Sequence, residues 1–161
     1  MSKAMAEQLN RQMNREFAAY YSYLGMSAYF ESLSLKGLAK WMRQQAMEEQ
    51  GHALKIYDFL NSRNGLVELQ PIPAVAAHYS SPLAAFEKAL EHERGVSDAI
   101  SKLRTFAREQ DDQATEVFLN WFIAEQVEEE DVASEIVDRL RLAGDSKDGL
   151  LRIDHELGKR E

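Results

Sequence analysis

The sequence contains no cysteine, which excludes disulfides, thiolate metal sites, cysteine nucleophiles and cysteine-ligated iron–sulfur clusters. Proline is almost absent: its three copies, Pro71, Pro73 and Pro82, share one short window, and the rest of the 161 residues have none. No apolar run approaches the roughly 18 residues that span a bilayer. Met1-Ser2-Lys3-Ala4-Met5-Ala6-Glu7 passes straight into an amphipathic pattern, so a cytoplasmic protein without membrane attachment is expected. Basic residues are few and scattered. Nineteen Lys and Arg against 27 Asp and Glu leave a net charge of -8, which argues against nucleic acid or an anionic membrane as partner. A mass of 18.4 kDa fits one domain over residues 1–161, large enough to bury a core without cross-links.

What remains is helical. Apolar residues recur at three- and four-residue spacing before and after the proline window, with no sustained two-residue alternation that would favour strands. Weaker breaks fall at Ser32-Leu33-Ser34-Leu35 and Gln110-Asp111-Asp112, where short side chains suited to capping sit together. Ser81-Pro82 reads as a cap followed by proline in the first turn, and Gly144-Asp145-Ser146 as a stop followed by a new cap. The expected helices are about 3–32, 35–63, 82–110, 112–143 and a short 147–158, with a crossover over 64–81. This is an all-α four-helix bundle with one long connection between its second and third helices.

The apolar stripes are interrupted in a consistent way. Leu9, Met13, Glu16, Tyr20 and Leu24 form the first, broken at Glu16. The second runs Leu38, Met42, Gln45, Glu49, Ala53, Ile56, with His52 beside its interruption. The third is broken at Glu93 and the fourth at Gln126 and Glu129. At about 100° per residue and with Phe122 as reference, Glu129 lies about 20° away, Gln126 about 40°, Glu125 about 60° and Glu128 about 120°. Glu130 and Asp131 are expected on the solvated face. Burying an unpaired carboxylate costs several kcal/mol, so four in one bundle would exceed a domain's stability of about 5–15 kcal/mol. No Lys or Arg lies on the stripes beside them. Two divalent cations would balance four carboxylates, and Glu49-x-x-His52 sets an oxygen and an imidazole on one helical face. Oxygen-rich ligation with histidine and no thiolate disfavours copper(I) and structural zinc and suits iron or manganese. Iron is preferred, because a carboxylate between two iron ions, Glu49 being the candidate, lets each give one electron to a shared dioxygen or peroxide.

At these residues the chain resembles the bacterial non-haem ferritins, over nearly its whole length. The resemblance places Glu16, Glu49 and His52 on the first iron position, with Glu49 bridging to a second at Glu93 and Glu129 beside Gln126. It matches Glu48, Glu125 and Glu128, helped by Glu49, to a third iron position, and Tyr23 to the tyrosine beside the di-iron centre. It implies a homo-oligomeric shell of 24 subunits that oxidises Fe²⁺ with dioxygen or peroxide and stores it as hydrated ferric oxide. Bacterioferritins carry Glu-x-x-His where this chain has Gln126-x-x-Glu129, and a haem-ligating methionine where it has Gln50, so no haem is expected. Rubrerythrin-like peroxidases usually carry a cysteine-ligated iron module, which this chain cannot build. The competing functions are a di-iron oxidase or peroxidase without storage and a non-catalytic helical interaction protein. His92 is expected at the surface or an interface, and Trp41 and Trp121 flanking the core.

Overall fold

A computed structural model describes residues 1–160. Its five helices are α1 (Lys3–Ser32), α2 (Lys36–Ser62), α3 (Pro82–Glu109), α4 (Gln113–Ala143) and α5 (Lys147–Leu157), and no strand occurs among the described residues. α1 pairs antiparallel with α2 through a short turn, and α3 with α4 likewise. α1 also packs on α3, closing the bundle, while α2 and α4 approach mainly through large side chains. Phe59 of α2 and Phe118 of α4 stack with ring centroids 3.8 Å apart.

Four helix starts are capped by side chains. Ser2, Ser81, Asp112 and Ser146 accept from the amides of Met5, Ala84, Thr115 and Gly149 at 3.0–3.1 Å, each satisfying a donor that the first turn leaves open. Pro82 opens α3, where a missing amide hydrogen costs nothing. α4 ends at Gly144, whose backbone (φ 53°, ψ -129°) is open to glycine and strained for other residues. The start of α2 differs from expectation. Neither nearby serine caps it; Asp154 of α5 accepts from the Leu38 amide at 2.9 Å instead. α5 can reach because Gly37 has no side chain: a Cβ there would lie 1.7 Å from the Asp154 carbonyl oxygen. Gly37→Ala should therefore lift α5 from α2 and cost about 1–3 kcal/mol, read as a lowered Tm.

The crossover runs extended along α1. The Asn10 side chain donates to the Leu66 carbonyl at 2.7 Å and accepts from the Glu68 amide at 2.7 Å, and Asn14 accepts from the Gln70 amide at 2.8 Å. Further along, Tyr79 meets Tyr29 edge-on, with centroids 5.2 Å apart. The connection is long because it returns over most of α1 before α3 begins, while two asparagines supply the partners its backbone lacks.

The core is divided. One apolar cluster holds Tyr23, Met42, Ala46, Phe86, Ala89 and Ala133, and the other Met13, Ala53, Ile56, Val96 and Phe122. In every long helix the break between them falls at the polar stripe position: Glu16, Glu49, Glu93 and Gln126 are all buried there. A polar layer thus crosses the middle of the bundle.

Candidate metal centre

α1, α2 and α3 deliver Glu16, Glu49 and Glu93 to this layer because each acid occupies a core position of its stripe, and α4 delivers Gln126. Glu16 is 0% exposed, Glu49 and Glu93 1%, Gln126 4% and His52 6%, while Glu129 is half-buried. One ligand atom each from Glu16, Glu49 and His52 fall within 4.8 Å of one another, and a second such group is His52, Glu125 and Glu129. Glu93 joins from α3. Tyr23 donates its hydroxyl to Glu93 Oε1, and Gln126 Nε2 donates to Glu93 Oε2 at 3.2 Å and to its carbonyl at 3.1 Å. Gln12 Nε2 donates to Glu16 Oε1 at 2.7 Å, and Gln45 Nε2 to Glu129 Oε2 at 2.6 Å. His52 is walled by Trp121 and Phe122, centroids 5.4 and 5.9 Å away.

No Lys or Arg pairs with Glu16, Glu49, Glu93 or Glu129 among the described residues; the nearest basic side-chain nitrogen is His52 Nδ1, 3.7 Å from Glu49 Oε2. Glu16 Oε2 and Glu49 Oε1 are buried with no hydrogen-bond partner. An orphaned buried acceptor costs about 1–3 kcal/mol, a cost that a bound cation or an added proton would relieve. The proton balance agrees. Burial first, and the Glu49 charge second, push the Glu16 carboxyl well above its usual range; burial and then Glu93 do the same to Glu49. Glu129 is pushed up to about 7 by burial and then by Glu93. Oxygen donors with one imidazole fit a borderline cation such as Fe²⁺.

A family model for the ferritin-like domain matches residues 6–143. Bacterial non-heme ferritins of Bacteroides fragilis and Staphylococcus aureus are each 39% identical over 160 residues, spanning 99% of this chain and 99% and 96% of theirs. The chain belongs to the ferritin family. An open-pore ferritin from the archaeon Archaeoglobus fulgidus aligns with a TM-score of 0.99 at 46% identity, over 100% of this chain and 99% of that one. A humanized archaeal ferritin does so at 47% identity, also with a TM-score of 0.99 over 100% and 99%. Ferritins are iron proteins, and the carboxylate layer of this one lies where its four long helices converge.

Outside the layer, the ferritin chain opens a pocket of about 480 Å³ lined by Gln45, Glu48, His52, Glu125, Glu128, Glu129 and Arg160, among others. Glu48 and Glu128 are exposed at its rim, outside the set whose ligand atoms lie within 4.8 Å. Three features depart from expectation. Glu130 is half-buried rather than solvated, accepting from the Ser97 hydroxyl with Arg94 3.9 Å away. His92 is half-buried too: its Nε2 is enclosed without a partner, its ring lies edge-on to Tyr23 at 6.1 Å, and burial holds its pKa down. Helical angle alone could not show that α1 closes over it. Arg160 is the third. Its guanidinium reaches Gln45 and Glu48 from beyond the last helix, and no stripe pattern contains it.

Proposed function

We propose that this ferritin takes Fe²⁺ as substrate, oxidises it at a di-iron centre inside each chain and stores the ferric product as an oxide mineral within a homo-oligomeric cage of 24 subunits. The observation that carries this is the pair of orphaned carboxylate oxygens on Glu16 and Glu49 in a layer of acids that no protein cation neutralises. Glu16, Glu49 and His52 hold the first ion; Glu49, placed between Glu16 and Glu93, bridges to a second held by Glu93 and Glu129 with Gln126 beside it. The iron supplies two electrons, one from each ion, to dioxygen or peroxide. The chain's own part is to collect, orient and neutralise. The raised Glu16 and Glu49 carboxyls give up their proton as the cation arrives, Tyr23 and Gln126 fix Glu93, and Gln12 and Gln45 aim Glu16 and Glu129. Trp121 and Phe122 hold the His52 ring by its faces and edges.

The outer pocket is assigned as a third iron position through Glu48, Glu125 and Glu128, helped by Glu49. No haem is assigned, since Gln50 stands where a bacterioferritin carries its methionine. Cage assembly is supported by the crossover, where Leu66, Leu69 and Ile72 are 71%, 65% and 41% exposed on the lone chain, the kind of apolar surface that a twofold contact covers. Aerobic addition of Fe²⁺ followed by sedimentation and electron microscopy tests the whole. Hollow particles near 24 chains of 18.4 kDa that fill with iron far beyond three ions per chain are expected. A small oligomer that stops at two or three ions would instead identify a di-iron oxidase without storage.

A further inference from the structure

Residues 154–160 are laid along α2 one turn at a time. Gly37 meets Asp154, Lys40 Nζ donates to the Gly158 carbonyl at 3.0 Å, and Gln44 Nε2 donates to the Arg160 carbonyl at 3.1 Å. The Arg160 guanidinium then donates from Nη1 to Gln45 Oε1 at 3.0 Å and from Nη2 to Glu48 Oε2 at 2.5 Å. Positions 37, 40, 44 and 48 share one helical face, so docking of α5 at the start of α2 decides where Arg160 arrives. Its guanidinium also lies over the Trp41 ring, 5.1 Å from the centroid. The pair is partly screened: the Arg160 side chain is 27% exposed and that of Glu48 45%.

The arginine reaches further through Gln45. With Oε1 taken by a guanidinium that only donates, the amide nitrogen of Gln45 faces Glu129 and donates at 2.6 Å. Two cations, Arg160 and Lys55, line this pocket with Glu48, Glu125, Glu128 and Glu129; Lys55 lies over Trp121, and among the described residues Arg160 alone pairs with one of these carboxylates. A metal ion entering this pocket meets both the competition of Arg160 for Glu48 and its like charge.

We propose that Arg160 is the built-in counter-cation of the outer pocket. As a positioning residue it holds Glu48 and sets the Gln45 amide toward Glu129 in the metal-free chain, and it leaves Glu48 when a divalent cation takes that carboxylate. The tail thereby weakens binding at the outer position relative to the inner pair, which favours passage of iron between them over retention outside. This rests on the assignment of the pocket as a third iron position.

The test is anaerobic calorimetric titration with Fe²⁺ alone, comparing the wild type, Arg160→Gln and Arg160→Lys. In parallel, Trp41 emission is followed in a Trp121→Phe background, which leaves one of the two indoles and whose binding classes are first compared with the wild type by the same calorimetry, because Trp121 also walls His52. Removing a partly screened charge pair should tighten the outer class of binding by about three- to tenfold in Arg160→Gln, with any change in the inner class, felt only through Gln45 and Glu129, smaller than that. Arg160→Lys keeps the charge and should stay within about twofold of the wild type. With the native arginine, Trp41 emission should change as the outer class fills; with Arg160→Gln it should not. An outer class present in the wild type but untouched by Arg160→Gln, or a Trp41 signal indifferent to its filling, overturns the role of Arg160 alone. Absence of an outer class from both proteins overturns the third-position assignment and the role with it. Its appearance only in Arg160→Gln supports the role in its strongest form.

Discussion

Glu49→Gln is expected to abolish the fast phase of Fe²⁺ oxidation, lowering the initial rate at least about 100-fold, while making the metal-free protein more stable. The two effects share one cause. Glu49 lies 1% exposed among Glu16, Glu93 and His52, with one carboxylate oxygen partnerless. Glutamine keeps its volume and removes its charge. The amide cannot present two anionic oxygens to two cations, so the bridge is lost. It also spares the fold the cost of burying that acid, whether charged or by taking up a proton, which is worth about 1–3 kcal/mol. Stopped-flow absorbance after mixing with Fe²⁺ in air reads the first effect, and thermal unfolding in chelator the second. A variant that lost activity through misfolding would lose stability as well. A full fast phase in Glu49→Gln would refute the bridging role.

The second large effect is a pH dependence of opposite sign to ordinary acid denaturation. In the metal-free fold Glu129 is pushed up to about 7, by burial first and Glu93 second, against about 4.3 for a free glutamate. Below the unfolded value both states hold the proton, and Glu129 does not alter stability. Between about 4.5 and 7 the unfolded chain releases it while the folded chain keeps it, so stability falls as pH rises through that window and levels off above the folded value. With allowance for partial exposure the loss is about 2–3 kcal/mol. The clean measurement is the difference in unfolding free energy between wild type and Glu129→Gln, in chelator, from pH 4.5 to 8. That difference should grow in favour of the variant up to about pH 7 and then stay level. Saturating Fe²⁺ without oxygen should reverse it, since a ligand at about 100 times its Kd stabilises by about 2.7 kcal/mol. A difference independent of pH would show that Glu129 does not sense the buried acids.

Glu16, Glu49, Glu93 and Gln126 were legible in the sequence because a core position carries a strong expectation. An apolar stripe states which direction is inward, so a carboxylate on it needs a reason, and the same interruption in four helices points to one layer. The fold followed from similar economy: prolines confined to one window leave long helices on either side, and α3 and α5 open at Ser81 and Ser146 as local capping chemistry requires. What escaped was tertiary. The cap of α2 is Asp154, 116 residues away, and nothing around Leu35 signals it. The enclosure of His92 depends on how closely α1 covers α3. Arg160 stands beyond the last helix, and its partner Glu48 is set only once α5 has docked through the space left by Gly37. Periodicity describes a helix by itself; it carries no information on where another helix ends.

Whether two metal positions share Glu49 is decided by anomalous diffraction at the iron edge, from crystals loaded with Fe²⁺ in the absence of oxygen. Two strong peaks in each chain are predicted, one contacted by Glu16, Glu49 and His52 and the other by Glu49, Glu93 and Glu129, with the Glu49 carboxylate between them. A single peak in the layer, or iron confined to the outer pocket with Glu16 and Glu93 bare, would contradict it.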